Sequence, residues 1–108
     1  MLTQLRRGAL EYCVLALLSH EERYVLDLVR VLSETKGLVT TEGTLYPLLS
    51  RLRREGFVAT QWRESVSGPP RRYYTLTRDG RRALERFTSE WQCFRDAVDE
   101  LLNHEGEG

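Results

Sequence analysis

The 108-residue sequence predicts a mainly α-helical domain with a small β-hairpin, followed by one long C-terminal helix. Three observations predict it. Apolar residues recur at helical spacing in three stretches before Gly56. β-Branched and aromatic residues then dominate two short runs separated by Gly68-Pro69-Pro70. Finally, Leu84, Phe87, Trp91, Phe94, Val98 and Leu101 follow one another at intervals of 3 and 4. A chain of this length is expected to build a single hydrophobic core.

The first helix is expected over residues 5–19, with Leu10, Cys13, Val14, Leu17 and Leu18 as its buried side. The polar segment 19–22 breaks the pattern. A second helix is expected over 23–36, burying Val25, Leu28, Val29 and Leu32, and Gly37 suits its C-terminal stop. Thr40 and Thr41 then offer hydroxyls to cap a third helix over 42–55. There Leu45, Leu48, Leu49 and Leu52 make a buried stripe, while Tyr46, Ser50, Arg51, Arg53 and Arg54 are left for the other sides. Pro47 is harmless only in a first turn, so the regular helix is expected to start near Gly43 or Thr44, or else to kink at Pro47.

After Gly56 the pattern alternates. Residues 57–63 and 72–76 are expected to pair as a hairpin within the segment 57–76, joined by a loop over 64–70, because Gly-Pro-Pro is a poor fit to a sheet ladder. Thr77 is placed to cap a last helix from Arg78 to about Asn103, with Asp79 near its positive end, and residues 105–108 are expected to fray. Three helices, a hairpin and a long helix make the layout of a winged helix-turn-helix. The division expected is a DNA-binding unit over 1–77 and a C-terminal helix with its tail over 78–108.

Charge distribution supports a nucleic-acid partner where total charge does not. Basic and acidic residues are equal at 16 each. Yet between Arg51 and Arg82 nine arginines face only Glu55, Glu64 and Asp79, whereas from Glu85 onward seven acidic residues face only Arg86 and Arg95. A basic middle and an acidic end suggest that one part meets phosphate and the other does not. Cys13 and Cys93 are far apart and His20 and His104 are isolated, so neither a metal site nor a cofactor is expected. No glycine-rich phosphate loop or paired nucleophile and histidine points to an enzyme. No apolar run approaches a membrane span or a signal peptide, and the expected location is the cytoplasm.

The seam of Leu84, Phe87, Trp91, Phe94, Val98 and Leu101 carries large side chains over more than two heptads, which fits pairing with the same helix of a second subunit. The alternative is that this helix folds back on the first. Trp91 has two readings, an interface anchor or, with Phe87 and Phe94, the lining of a gap that stacks a planar aromatic effector.

The run Gly43-Thr44-Leu45-Tyr46-Pro47-Leu48-Leu49-Ser50-Arg51-Leu52, followed by Arg71-Arg72-Tyr73-Tyr74-Thr75-Leu76-Thr77, resembles the PadR family of bacterial transcriptional regulators. The likeness spans nearly the whole chain, and the length resembles the branch with a single C-terminal helix. It implies a homodimeric repressor that binds an inverted repeat and is released by a small molecule. It places Thr44, Tyr46, Pro47, Ser50 and Arg51 on the recognition helix, residues 67–72 on the wing, and Tyr73 and Tyr74 on the supporting strand. Some multidrug-responsive members carry a tryptophan at a place similar to Trp91 that stacks planar compounds between subunits. One departure stands out. Members often show Tyr-Gly-Tyr-Glu entering the second helix, where this chain has Tyr24-Val25-Leu26-Asp27.

The expected contacts with double-stranded DNA are therefore Thr40, Thr41, Thr44, Tyr46, Ser50, Arg51 and Arg54 around the third helix, and Ser67, Gly68, Arg71 and Arg72 on the wing. Tyr74 shares a strand face with Leu76 and is expected in the core, while Tyr73 shares a face with Arg71. The competing function is a winged-helix protein-interaction module whose basic face meets an acidic partner.

Overall fold

The computed structural model describes residues 2–103, with side chains from residue 8 onward. His104 and the tail expected to fray lie outside the described residues. The elements run α1 (Leu2–His20), α2 (Val25–Ser33), α3 (Glu42–Arg54), β1 (Val58–Ser65), β2 (Gly68–Leu76) and α4 (Arg78–Leu102). This is a winged helix-turn-helix carrying a long terminal helix.

Leucines set the arrangement. Leu10, Val14, Leu15 and Leu18 of α1 meet Val25, Leu28 and Leu32 of α2 and Leu45, Leu49 and Leu52 of α3, with Val58 and Tyr74 closing the core from the hairpin. Each fully buried aliphatic side chain contributes about 1.5–3 kcal/mol of transfer free energy, so this cluster is the main force holding α3 in place. Cys13 and Leu17 pack only at its margin, and Leu15, outside the expected stripe, is fully buried. Helix α1 is covered over a wider arc than its apolar periodicity indicates, because the hairpin and α4 pack against it in addition to the helical core.

Three departures from expectation bear on the site. Helix α2 ends at Ser33 rather than Lys36, and Gly37 (φ +90°) turns the chain only after a short irregular segment. Helix α3 begins at Glu42 and carries Pro47 inside it. Pro47 has no N–H to donate to the Gly43 carbonyl, but both residues are exposed, so water can serve that carbonyl. The third correction concerns the hairpin loop. Only Val66 and Ser67 connect the strands, and Pro69 and Pro70 lie within β2. Arg63 pairs with Arg71 and Ser65 with Gly68, so two prolines face the single residue Glu64 across an irregularity in the ladder. A bulge at the edge of a two-stranded sheet needs no N–H from either proline, which is why Gly-Pro-Pro is tolerated.

The hairpin is fixed at both ends. The Arg23 N–H donates to the Tyr74 carbonyl (3.2 Å) and the Tyr74 N–H to the Arg23 carbonyl (2.8 Å), adding a one-residue bridge from the α1–α2 connection. At the other end the Thr77 hydroxyl donates to the Gly56 carbonyl (2.6 Å) and accepts the Gly80 N–H (3.0 Å), so the expected N-cap of α4 also ties that helix to the turn after α3.

Helix α4 then extends the molecule to 62 × 26 × 21 Å. Its first turns pack on the domain: Leu84 rests against the core, and Phe87 stacks face to face on Tyr12 of α1 (centroids 3.9 Å, interplanar angle 4°). The three-helix unit is therefore not closed without α4.

Candidate nucleic-acid interface

Because Leu45, Leu49 and Leu52 face the core, the residues on the opposite side of α3 are Gly43, Pro47, Ser50 and Arg54, spaced 4, 3 and 4 apart. All four are exposed. Thr44 and Arg51 flank this ridge on one side and Tyr46 and Arg53 on the other, which divides the expected contact residues.

Thr41 is the N-cap, its carbonyl accepting the N–H groups of Thr44 and Leu45 (both 3.1 Å). Its hydroxyl lies 3.3 Å from that of Thr44, and both are exposed at the start of the helix. Thr40 is different. It is 7 % exposed with a covered hydroxyl, so it cannot reach a phosphate and leaves the interface expected from the sequence. Arg51 is also held back. It pairs with Glu11 of α1 (2.7 Å) and lies 3.9 Å from Glu55, tying α3 to α1 at the flank of the ridge. Arg54 makes no ion pair among the described residues and remains the cation on the outward face.

The wing stands beside the Tyr46 flank. Between them is an open cleft of about 650 Å³, lined by Tyr24, Leu26, Glu42 and Tyr46 on the helical side and by Trp62 and residues 67–72 on the hairpin side. Ser67 and Gly68 form the tip with Val66, which is fully exposed. Arg71 lies over the Tyr24 ring (4.5 Å to its centroid) and Arg72 over the Trp62 ring (5.2 Å). Tyr24 also meets Tyr73 edge to face (5.4 Å), while Tyr74 is buried. The two tyrosines thus divide as the strand alternation predicts. Arg63 is occupied by Glu22 (3.0 Å).

The α4 seam divides in two as well. Leu84 and Phe87 are taken up within the chain, whereas Trp91, Phe94 and Leu101 are 44 %, 62 % and 76 % exposed and Val98 is half-buried. Phe87 stands 6.2 Å from Trp91, and Trp91 6.4 Å from Phe94, centroid to centroid.

The profile of the Transcriptional regulator PadR-like family matches residues 14–86, from the middle of α1 into α4. The chain belongs to the PadR-like family of transcriptional regulators. A PadR-like transcriptional regulator from Bacillus cereus superposes with a TM-score of 0.85 at 35 % identity, covering 93 % of this chain and 97 % of its own. A PadR family regulator from Eggerthella lenta gives 0.83 at 38 %, covering 95 % and 89 %. A PadR-like transcription factor from Bacteroides fragilis gives 0.79 at 40 %, covering 92 % and 95 %. A family of transcriptional regulators accounts for this PadR-like chain without an enzymatic centre. Among the described residues no helix is long and apolar enough to cross a membrane, and no cluster of three metal-ligating side chains occurs.

Two residues of this candidate interface escape a reading of the sequence. Glu11 fixes Arg51 from forty positions away, and nothing local signals the pairing. Trp62 is the other, a large ring left exposed on a strand, whose one signal is its β-rich context beside arginines.

Proposed function

We propose that this regulator is a homodimeric repressor acting on cytoplasmic DNA, reading an inverted-repeat operator with α3 in the major groove and the wing on the adjacent backbone. The supporting observation is the continuity of the surface around the cleft. Glu42 and Tyr46 of α3 and Arg71 and Arg72 on the wing border one opening, and the exposed ridge of Ser50 and Arg54 lies next to Tyr46 on the same helix, all outside the leucine core. Ser50 and Arg54 face base edges and phosphates, and Thr41 and Thr44 meet the backbone at the helix start. Ser67, Gly68, Arg71 and Arg72 add wing contacts that set affinity more than sequence preference. Two-fold symmetry then calls for half-sites about one helical turn, roughly 10 bp, apart.

The remaining strip of α4 supplies the second subunit's contact and, at Trp91 and Phe94, a place for a planar aromatic effector. Phe87 borders this place but gives one face to Tyr12, which leaves Trp91 as the main stacking surface. An effector that favours a dimer geometry with mismatched recognition helices releases the DNA.

The test is a gel-shift titration against duplex DNA from the region upstream of its own gene, over a series of salt concentrations. Replacing Arg71 and Arg72 with alanine is expected to weaken binding to every sequence and to flatten the salt dependence by about 0.9 in slope for each phosphate no longer neutralised. An unchanged slope removes the wing from the contact surface. No salt-sensitive shift by the unsubstituted protein would favour the protein-interaction module instead. In a Trp62→Phe background, planar aromatic compounds are expected to quench the remaining tryptophan, and Trp91→Ala to abolish that signal.

A further inference from the structure

Trp62 is 63 % exposed on the outer part of β1, where burial cannot explain so large a ring. Its cross-strand partner is Arg72, whose guanidinium lies 5.2 Å from the ring centroid. The neighbouring Arg71 rests over Tyr24 at 4.5 Å. No carboxylate of the described residues is within ion-pair distance of either arginine, whereas Arg63 on the other strand pairs with Glu22. Among the three wing arginines, then, Arg63 has a carboxylate as well as a more distant ring (Tyr73, 5.8 Å), and the other two have rings alone.

The two devices leave different chemistry available. A carboxylate holds a guanidinium by its N–H edge and occupies those donors. An aromatic ring attracts the flat face through its quadrupole and leaves the in-plane donors free for an incoming acceptor. The Nε of Arg72 is covered and without a partner, a cost that folding stability alone does not explain. Its terminal amino groups are then the ones left for a ligand. Both arginines border the cleft between the wing and α3, and the acceptor that matches two such planar forks is a phosphodiester backbone.

The geometry points to Trp62 as a positioning residue for DNA binding: its ring holds Arg72 at the mouth of the cleft with its terminal amino groups free, so that the arginine meets the sugar–phosphate backbone already oriented. This rests on the DNA-reading function proposed above. The ring acts through Arg72, by limiting the rotamers that a long side chain would otherwise lose on binding.

The test uses the full chain with Trp62→Leu and Trp62→Phe, each also combined with Arg72→Ala, titrated against the same upstream duplex at several salt concentrations. Leucine keeps apolar cover but has no π face. Trp62→Leu is expected to weaken binding about tenfold for a dimer with two wings, with a shallower salt dependence, while Trp62→Phe retains most of the affinity. In the Arg72→Ala background the choice at position 62 is expected to make no further difference. The melting temperature of the free protein, unchanged in both single variants, separates positioning from folding. Equal affinity of the leucine and phenylalanine variants would overturn the proposal, as would a Trp62→Leu loss that persists undiminished without Arg72. Failure of the unsubstituted protein to bind duplex DNA would instead remove the DNA reading, and this proposal with it.

Discussion

Burial alone would push the Asp27 carboxyl toward protonation, yet hydrogen bonds and charge from Arg23 and Arg30 outweigh it and hold it below the usual carboxylate range. The Arg23 contact is 2.9 Å long between two side chains that are 14 % and 16 % exposed. Arg23 is also the residue whose backbone bridges to Tyr74, so this pair fixes the connection on which the hairpin rests. A carboxylate with a depressed folded value contributes stability that is present above its unfolded value, near 3.8, and is lost as pH falls through the folded value. Asp27→Asn is therefore expected to cost about 2 kcal/mol at neutral pH and to flatten the acid limb of the stability profile below pH 4, measured by urea unfolding across pH. A variant that loses stability equally at every pH would mean that the ion pair is not what Asp27 contributes. The acidic position was legible in the sequence at the entrance to α2. Its two arginine partners were not, and neither was the diversion of Arg51 to Glu11, because each depends on which side chains meet once the helices have packed.

Elements were legible wherever a periodic stripe coincided with a single buried face, as in α2 and α3, and less so where one element meets several neighbours, as in α1. The short hairpin loop was not legible, because the rule that keeps proline out of ladder interiors does not govern a bulged, two-stranded edge. The start of α4 shows how closely neighbouring elements are fitted. A Cβ at Gly80 would sit 2.1 Å from the Phe57 carbonyl oxygen and 2.7 Å from Leu76 Cδ1. Backbone, not a flexible side-chain end, blocks the first approach. Helix propensity favours alanine by about 1 kcal/mol, but displacing the first turn of α4 costs more. Gly80→Ala is expected to lower stability by a net 1–3 kcal/mol, roughly, and Thr77→Ala by about 1 kcal/mol through loss of the cap, with Thr77→Ser close to the parent. Thermal unfolding followed by far-ultraviolet circular dichroism checks both. A Gly80→Ala protein as stable as the parent would mean that α4 is not seated on the turn after α3.

At the scale of the whole molecule, α4 projects an apolar strip that its own domain does not cover. Trp91, Phe94, Leu101 and Leu102 are exposed along one projecting helix, and a row of large apolar groups on a small chain is characteristic of an association surface. The seam read from the sequence is in effect two surfaces, an inner one of Leu84 and Phe87 that fastens α4 to α1 and an outer one that the chain itself leaves uncovered. Periodicity could not divide them, because both halves follow the same 3–4 spacing. Phe94→Glu places a carboxylate in the outer half, away from the Tyr12–Phe87 stack, so the single domain is expected to keep its helical content and melting behaviour at low concentration. Its mass in sedimentation equilibrium is expected to fall from twice the chain mass to the chain mass at micromolar concentration. The consequence for DNA is larger than the removal of one apolar side chain suggests. Two half-sites bound by linked wings gain an effective concentration in the millimolar range, so unlinking them is expected to lower operator affinity about 10²–10⁴-fold while leaving half-site binding nearly unchanged. A monomeric Phe94→Glu protein that held the full operator as tightly as the parent would mean that recognition is completed within one chain and that the outer strip of α4 serves another purpose.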